Sequence, residues 1–413
     1  MFNQPTDPNA PICLIIPPSA FLLDERVFMS LGILKIAAML EQGGRAVEVL
    51  DLSGVSDFPH VVAQHAKNSK TQIFGITATT PQMPAVRQIV ETLRLYRPTD
   101  KIILGGPHGT LTYAAKQREE KLNISGRAMV AMDILHALFD VIVVGDGEQA
   151  IFEAIKDGAP AIIDGDNPKT DLFMTNEVLE NTPFPARKLI DVESYKYSID
   201  GVRACSMIAQ LGCPFNCGFC GGRQSPSLRR IRTRSTASVV REIRELYQEF
   251  GYKAFMLYDD ELNVNPNMIE LMYALADLQA ELGEQFKFRG FLKSQLFTEE
   301  QAKAMIAAGF RWILIGFESG SPRILKNINK KATREQNTRC MEIADKYGLK
   351  VKALMSIGHP GESPETIEQT REWLLKVKPA DFDATIITTY PGTPYFDHAV
   401  PHESKAGVWT YTY

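Results

Sequence analysis

The sequence contains no run of about eighteen apolar residues, the length a helix needs to cross a bilayer, so no stable membrane insertion is expected. Residues 1–10 have neither the basic start nor the apolar middle of a secretory leader, which predicts a cytoplasmic protein. Positive charge is not in excess: 45 Lys and Arg stand against 49 Asp and Glu, and 45 − 49 gives −4. A nucleic-acid binder needs a basic face that neutralises phosphates, so no nucleic-acid partner is expected. Cysteine is scarce, and six in 413 residues cannot make a disulfide scaffold. Low-complexity tracts are missing too. With 45% hydrophobic residues the chain has apolar material for two cores, and two domains are expected.

What is present begins with alternation. Short β-rich runs at 12–16, 47–50, 73–77, 102–104 and 141–144 are separated by stretches of helical period at 31–41, 84–96 and 122–138. Five buried strands with intervening helices predict an α/β, doubly wound, Rossmann-like domain over 1–158. In such a sheet a ligand lies across the carboxyl ends of the strands, where glycine lets the backbone come close. Those ends carry Thr77-Ala78-Thr79-Thr80, Gly105-Gly106-Pro107-His108 and Gly145-Asp146-Gly147-Glu148. Any one of these also reads as an ordinary strand-to-helix turn; three at one edge favour a ligand.

Over 159–200 the pattern dissolves into Asp, Asn, Pro and Lys, and this stretch is expected to connect the domains. From 201 to 413 alternation returns. Strands are expected at 205–211, 254–258, 286–292, 312–317, 351–357 and 382–387, with helices at 236–250, 266–282, 299–308, 333–347 and 364–377. Six βα units fall two short of a closed eight-stranded barrel, so a partial barrel is expected, with its active face at the C-terminal ends of its strands.

Cys13, Cys205 and Cys340 are scattered, the last two reading as core, but Cys213-Pro214-Phe215-Asn216-Cys217-Gly218-Phe219-Cys220 packs three thiols into one loop after a strand. A closed zinc site wants four ligands, and an electron-transfer cluster usually takes four cysteines. Three suggest a cluster with one iron open to a small ligand. A zinc site completed by a distant residue such as His359, or three buried thiols, is the competing reading.

This segment, with Phe219 ahead of the third cysteine, resembles the signature of the radical S-adenosylmethionine (SAM) enzymes. The resemblance implies a partial (β/α)6 barrel, a 4Fe-4S cluster held by Cys213, Cys217 and Cys220, and SAM on the fourth iron, cleaved on reduction to a 5′-deoxyadenosyl radical. It continues through Arg232-Thr233-Arg234-Ser235, Tyr258-Asp259-Asp260-Glu261, Gly316-Phe317-Glu318-Ser319, Gly358-His359-Pro360-Gly361-Glu362 and Tyr390-Pro391-Gly392-Thr393-Pro394. These are similar to strand-end motifs of the subgroup with an N-terminal cobalamin-binding domain. The implied SAM contacts are Phe219 and Gly358 by the adenine, Asp260 near the amino group, and Glu318 and Ser319 near ribose or methionine. Solvated acidic turns and a rim salt bridge are the plainer readings of the acidic residues. One of Arg223, Arg229, Arg230, Arg232 and Arg234 is a candidate for an anionic carboxylate.

By the same resemblance, Leu31, Gly32, Thr77, Thr79, Gly105, Gly106, His108, Gly145 and Glu148 cradle cobalamin. The D-x-H-x-x-G motif that supplies a histidine to cobalt is absent, which implies cobalamin without a protein histidine below it. The stretch 110–138 is longer than one crossover helix. The function implied is cobalamin-dependent C-methylation of a small molecule at an unactivated carbon, with ferredoxin or flavodoxin as electron donor. The alternatives are a non-methylating radical reaction (dehydration, cyclisation or rearrangement) and an iron-sulfur electron carrier or redox sensor. A methylthiotransferase is disfavoured, because the first domain has only Cys13 and cannot hold a second cluster.

Overall fold

The computed structural model describes residues 10–19, 21–398, 400–402 and 410–412, with backbone alone for 397–398, 400–402 and 410–412. Six parallel strands make the first sheet: β1 (Ile12–Ile16), β2 (Val47–Asp51), β3 (Ile73–Thr77), β4 (Lys101–Gly105), β5 (Val141–Gly145) and β6 (Ile162–Gly165), in the order β2-β1-β3-β4-β5-β6. Period-two alternation sends Ile12, Leu14 and Ile16 to one face, and Cys13 and Ile15 to the other. Helices α1 (Leu31–Gln42) and α6 (Gly147–Ala154) cover the first face; α2 (Phe58–Asn68), α3 (Met83–Tyr96) and α5 (Arg127–Leu138) cover the second. The strand order reverses between β1 and β3, which opens a crevice at their carboxyl ends.

Three features of this domain depart from expectation. A sixth strand, β6, lies inside the stretch expected as connection. It has only Ile162 and Ile163 as apolar residues, too short a run to stand out, yet it pairs with β5 from Ile142 to Gly145. Helix α2 also lacks a counterpart in the sequence pattern. The helix expected at 122–138 is α5, and the long stretch 110–138 also holds most of a second helix without a counterpart in the sequence pattern, α4 (Pro107–Lys121). Helix α4 buries His108, Thr110, Thr112 and Glu119 along with its apolar residues, so no apolar stripe marks it. Glu119 joins the two, its carboxylate oxygens accepting from Ala128 N and Met129 N at 3.0 Å each and capping α5.

After α7 (Asn176–Asn181) the chain enters a second sheet, with the order β15-β14-β13-β12-β11-β8-β7. Its parallel strands are β8 (Val202–Met207), β11 (Ala254–Leu257), β12 (Lys287–Leu292), β13 (Phe310–Glu318), β14 (Lys350–Ile357) and β15 (Asp381–Ile386); β7 (Ser198–Ile199) pairs antiparallel with β8. Sequential order with helices between strands makes an open half-barrel. Phe255, Leu257, Ile313 and Ile315 pack beneath α9 (Thr236–Phe250), α10 (Met268–Leu282), α11 (Glu299–Ala307) and α13 (Arg334–Tyr347), while Ala254, Met256 and Leu314 line the inside with Ile199. The expected run 205–211 is broken into β8 and β9 (Gln210–Leu211), which pairs with β10 (Arg232–Thr233) around the cysteine loop and the short helix α8 (Pro226–Arg229). The remaining helices are α12 (Pro322–Asn327), α14 (Pro364–Val377) and α15 (Pro394–His398). No helix among the described residues is long and apolar enough to cross a membrane.

Candidate functional site

The cysteine loop leaves β9 at Gly212. Its φ is +85°, and a Cβ there would meet Arg230 O at 2.0 Å, so only glycine makes this turn. Asp260 Oδ2, at the end of β11, accepts from Gly212 N at 2.6 Å, and Cys213 N donates to Leu228 O at 3.0 Å. Asp259 Oδ1 accepts from Ala209 N and Gln210 N at 2.7 and 3.0 Å. The two adjacent aspartates therefore hold the backbone that feeds the loop. Burial is the first cause that lifts the Asp259 carboxyl to about 7, and it raises Asp260 as well.

Burial also raises the Cys213 thiol to about 11 and the Cys220 thiol above its usual value. A metal must therefore displace their protons. Among the described residues the three sulfurs are not drawn within 4.8 Å of one another, the convergence a single ion imposes.

Two buried lysines lie over this loop. Lys293, at the end of β12, sits 4.4 Å above the Phe215 ring with Nζ 3.9 Å from Cys217 Sγ. Lys330 Nζ donates to Glu318 Oε1 at 2.9 Å and lies 5.8 Å from the Phe219 ring centroid. Ser356 Oγ donates to Glu318 Oε2 at 2.7 Å and shares a second 2.7 Å contact with His359 Nε2. Burial alone would raise the Glu318 carboxyl, but Lys330 and these bonds hold it below its usual value. Glu318 has φ +65° at a register shift between β13 and β14, and that irregularity turns its side chain toward Lys330.

The remaining residues of the expected SAM set divide. Phe219 packs on Ile324, Leu325 and Ile328 and stands 5.6 Å from the His359 ring. Gly358 turns with φ +91° and donates to the Glu362 carboxylate. The Ser319 hydroxyl is committed to Thr370 Oγ1 at 3.0 Å and Ser321 N at 3.1 Å, away from the Glu318 network. Arg232 and Arg234 are buried in ion pairs with Asp146 and Glu242, and Arg229 donates to Pro214 O at 2.6 Å within the loop.

A cavity of about 320 Å³ opens at the carboxyl edge of the first sheet. Of the nine residues expected there, Gly32, Thr77, Gly105, Gly106, Gly145 and Glu148 line it; Leu31, Thr79 and His108 do not. Leu31 is buried in the barrel-side core, and Thr79 is bonded to Gln82. His108 is buried against Thr80 Oγ1 at 3.0 Å, and burial pushes it down to about 4, which leaves it neutral. A Cβ on Gly32 or Gly105 would meet nothing within 4 Å and would enter the cavity, whereas one on Gly145 would strike Asp166 N at 2.3 Å. Lys35 and Asp146 also line it, as do Ile208, Leu211 and Leu228 of the barrel side.

The two sites are fastened together. Asp166, just past β6, accepts through Oδ1 from Ser225 Oγ and Ser227 N at 2.7 and 2.8 Å, and Asp146, just past β5, pairs with Arg232. Gly221, next to Cys220, fits closely between Tyr390 and Leu111 of α4, where a Cβ would lie 3.1 and 3.2 Å from its neighbours. Sequence reasoning did not identify Lys293, Lys330, Ser356, Lys35 or Asp166. Lys293 alone carried a signal, a lysine directly after an apolar strand at the active edge.

Comparison with known proteins agrees with this geometry. Residues 207–374 match the model of the radical SAM superfamily, and residues 25–135 that of the B12 binding domain. An uncharacterised methyltransferase of Pyrococcus horikoshii is 27% identical over 407 residues, spanning 94% of this chain and 83% of the relative. An anaerobic magnesium-protoporphyrin IX monomethyl ester cyclase of Rubrivivax gelatinosus is 26% identical over 343 residues, spanning 79% of this chain and 58% of that longer protein. The solved structure of the radical SAM methyltransferase TsrM from Kitasatospora setae, with cobalamin and a [4Fe-4S] cluster bound, superposes with a TM-score of 0.73 at 18% identity, over 94% of this chain and 77% of that one. The chain thus carries a radical SAM domain preceded by a B12 binding domain.

Proposed function

We propose that this protein is a cobalamin-dependent radical SAM methyltransferase acting on an unactivated carbon of a small molecule. The observation that carries the reading is the fastening of a glycine-edged cavity in the first domain to the residues that follow the three cysteines, through Asp166, Asp146 and Gly221. Cys213, Cys217 and Cys220 would hold the cluster; Gly32, Thr77, Gly105, Gly106, Gly145 and Glu148 would border cobalamin. When bound, cluster and SAM supply a primary carbon radical and cobalamin supplies a methyl group.

The chain's own residues prepare that chemistry. Lys293 and Lys330 place positive charge beside Cys217, where thiolate and cluster charge would otherwise stand alone in a buried site. The Lys330–Glu318–Ser356–His359 chain fixes the carboxylate at the rim, and the Phe219 ring, 5.6 Å from the His359 ring, would pack against a base. Asp260 keeps one oxygen on Gly212 N and offers the other to an ammonium group. A ferredoxin or flavodoxin in the cytoplasm would supply electrons.

A second reading, radical chemistry without methyl transfer, is favoured by the 26% identity to the cyclase. Anaerobic reconstitution with iron, sulfide and cobalamin, then reduction in the presence of SAM, tests the family chemistry by 5′-deoxyadenosine release. SAM carrying a deuterated methyl group, supplied with an extract of small metabolites, separates the two readings. A product bearing the label supports methylation, and a changed but unlabelled product supports the second reading.

A further inference from the structure

We propose that Cys13, Glu48 and His65 form a binding site for one divalent ion of the zinc type, on the far side of the first sheet from the cavity. Cys13 on β1 is in register with Glu48 on β2 and with Phe74 on β3, so the three side chains share one face. Helix α2 lays His65 over that face, its ring edge-on to Phe74 at 6.5 Å. The Cys13 sulfur, a Glu48 oxygen and a His65 nitrogen all lie within 4.8 Å of one another, with His65 Nε2 and Glu48 Oε2 3.3 Å apart. Tetrahedral zinc with bonds of about 2.0–2.1 Å to nitrogen and oxygen spans roughly that separation.

The surroundings distinguish this trio from a plain ion pair. His65 Nε2 is shielded from solvent and makes no hydrogen bond, although Glu48 Oε2 is close, so the two are not aligned for one. Glu48 Oε1 is engaged by Ser69 Oγ at 3.0 Å and Thr71 Oγ1 at 3.2 Å, which steadies the carboxylate and leaves Oε2 for an ion. A surface groove lined by Glu48, His65, Gln64 and Ser69 gives an entry path and room for water as a fourth ligand. Thiolate, imidazole and carboxylate together select zinc over calcium or magnesium. Binding exchanges the Cys13 thiol proton, which burial retains, for the ion; no electron moves. The ion would tie edge strand β2 and helix α2 to central strand β1.

The test uses two forms of the full chain. In cobalamin-free protein with Cys213, Cys217 and Cys220 all changed to Ala, Co²⁺ should give a thiolate-to-cobalt charge-transfer band that saturates at one ion per chain. Cys13→Ser should abolish the band, and Glu48→Gln or His65→Ala should weaken Co²⁺ binding at least about tenfold. In the reconstituted wild-type enzyme, elemental analysis should find one zinc beyond the cluster iron, and chelation should lower the thermal midpoint; circular dichroism identifies any variant that fails to fold. Absence of a thiolate band in the triple variant, its survival in Cys13→Ser, or a wild-type midpoint indifferent to zinc and chelator would each overturn the proposal.

Discussion

Asp166, at the end of the last strand of the first sheet, accepts hydrogen bonds from the Ser227 backbone at 2.8 Å and the Ser225 hydroxyl at 2.7 Å, immediately beyond the cysteine loop. All three residues are buried. Bonds to a charged acceptor are worth roughly 1.5–3 kcal/mol each, and a stranded buried donor costs about as much. Asp166→Ala should therefore lower stability by about 2–4 kcal/mol in denaturant unfolding, with a smaller loss for Asp166→Asn, which keeps the acceptor. Equal effects of the two would show that the bond to Ser227 N does not matter.

In the Glu318–Lys330 pair Lys330 is buried and Glu318 nearly so, with 6% and 13% of their side chains exposed. Removing one charge leaves the other unpaired in a poorly solvated place, at a cost of about 3–5 kcal/mol. Glu318→Gln and Lys330→Met should each destabilise the protein, and the double variant should cost less than the sum of the two. Additive losses in a double-mutant cycle would contradict a direct pair.

Asp259 gives a pH signature. Its carboxyl ordinarily titrates near 3.8 and in the folded protein near 7, first because of burial. Between those values the folded state binds more protons than the unfolded, so stability falls as pH rises through the window. Asp146, also lifted to about 7 by burial, acts in the same direction. Asp259→Asn can still accept from Ala209 and Gln210, so the slope of stability against pH should become shallower without vanishing. An unchanged slope would refute the assignment.

Gly32 separates folding from ligand binding. It sits in α1 with open cavity in front of it, and exchange of a helical glycine for leucine gains up to about 1 kcal/mol in helix propensity. Gly32→Leu should leave the ligand-free thermal midpoint unchanged or raised, leave iron content intact, and sharply reduce cobalamin retained on gel filtration. Full retention of cobalamin would place that ligand elsewhere.

Much of this was readable beforehand because apolar runs and spacing are local properties. The strands from Ile12 to Val144 and from Ala254 to Ile386, the cysteine loop and the glycine turns all announce themselves over fewer than ten residues. What escaped is relational. Strand β6 has two isoleucines and is a strand only because β5 lies beside it. Helix α4 buries polar residues between β5 and the cysteine loop, which erases its periodicity. Lys330 acquires meaning only when β13 carries Glu318 to within 2.9 Å of it, and Asp166 only when the second domain presents Ser225 and Ser227. The five arginines near the loop looked alike as a string; the fold binds Arg232 to Asp146 and Arg234 to Glu242, and those pairings depend on distant segments.

The most direct measurement is iron, sulfide and 5′-deoxyadenosine, determined together on anaerobically reconstituted wild type and Cys217→Ala supplied with SAM and a reductant. The account predicts a four-iron cluster and nucleoside release in the wild type, and neither in the variant, with bound cobalamin the same in both. Zinc in place of iron at the three thiols, or an intact cluster that never cleaves SAM, would contradict it.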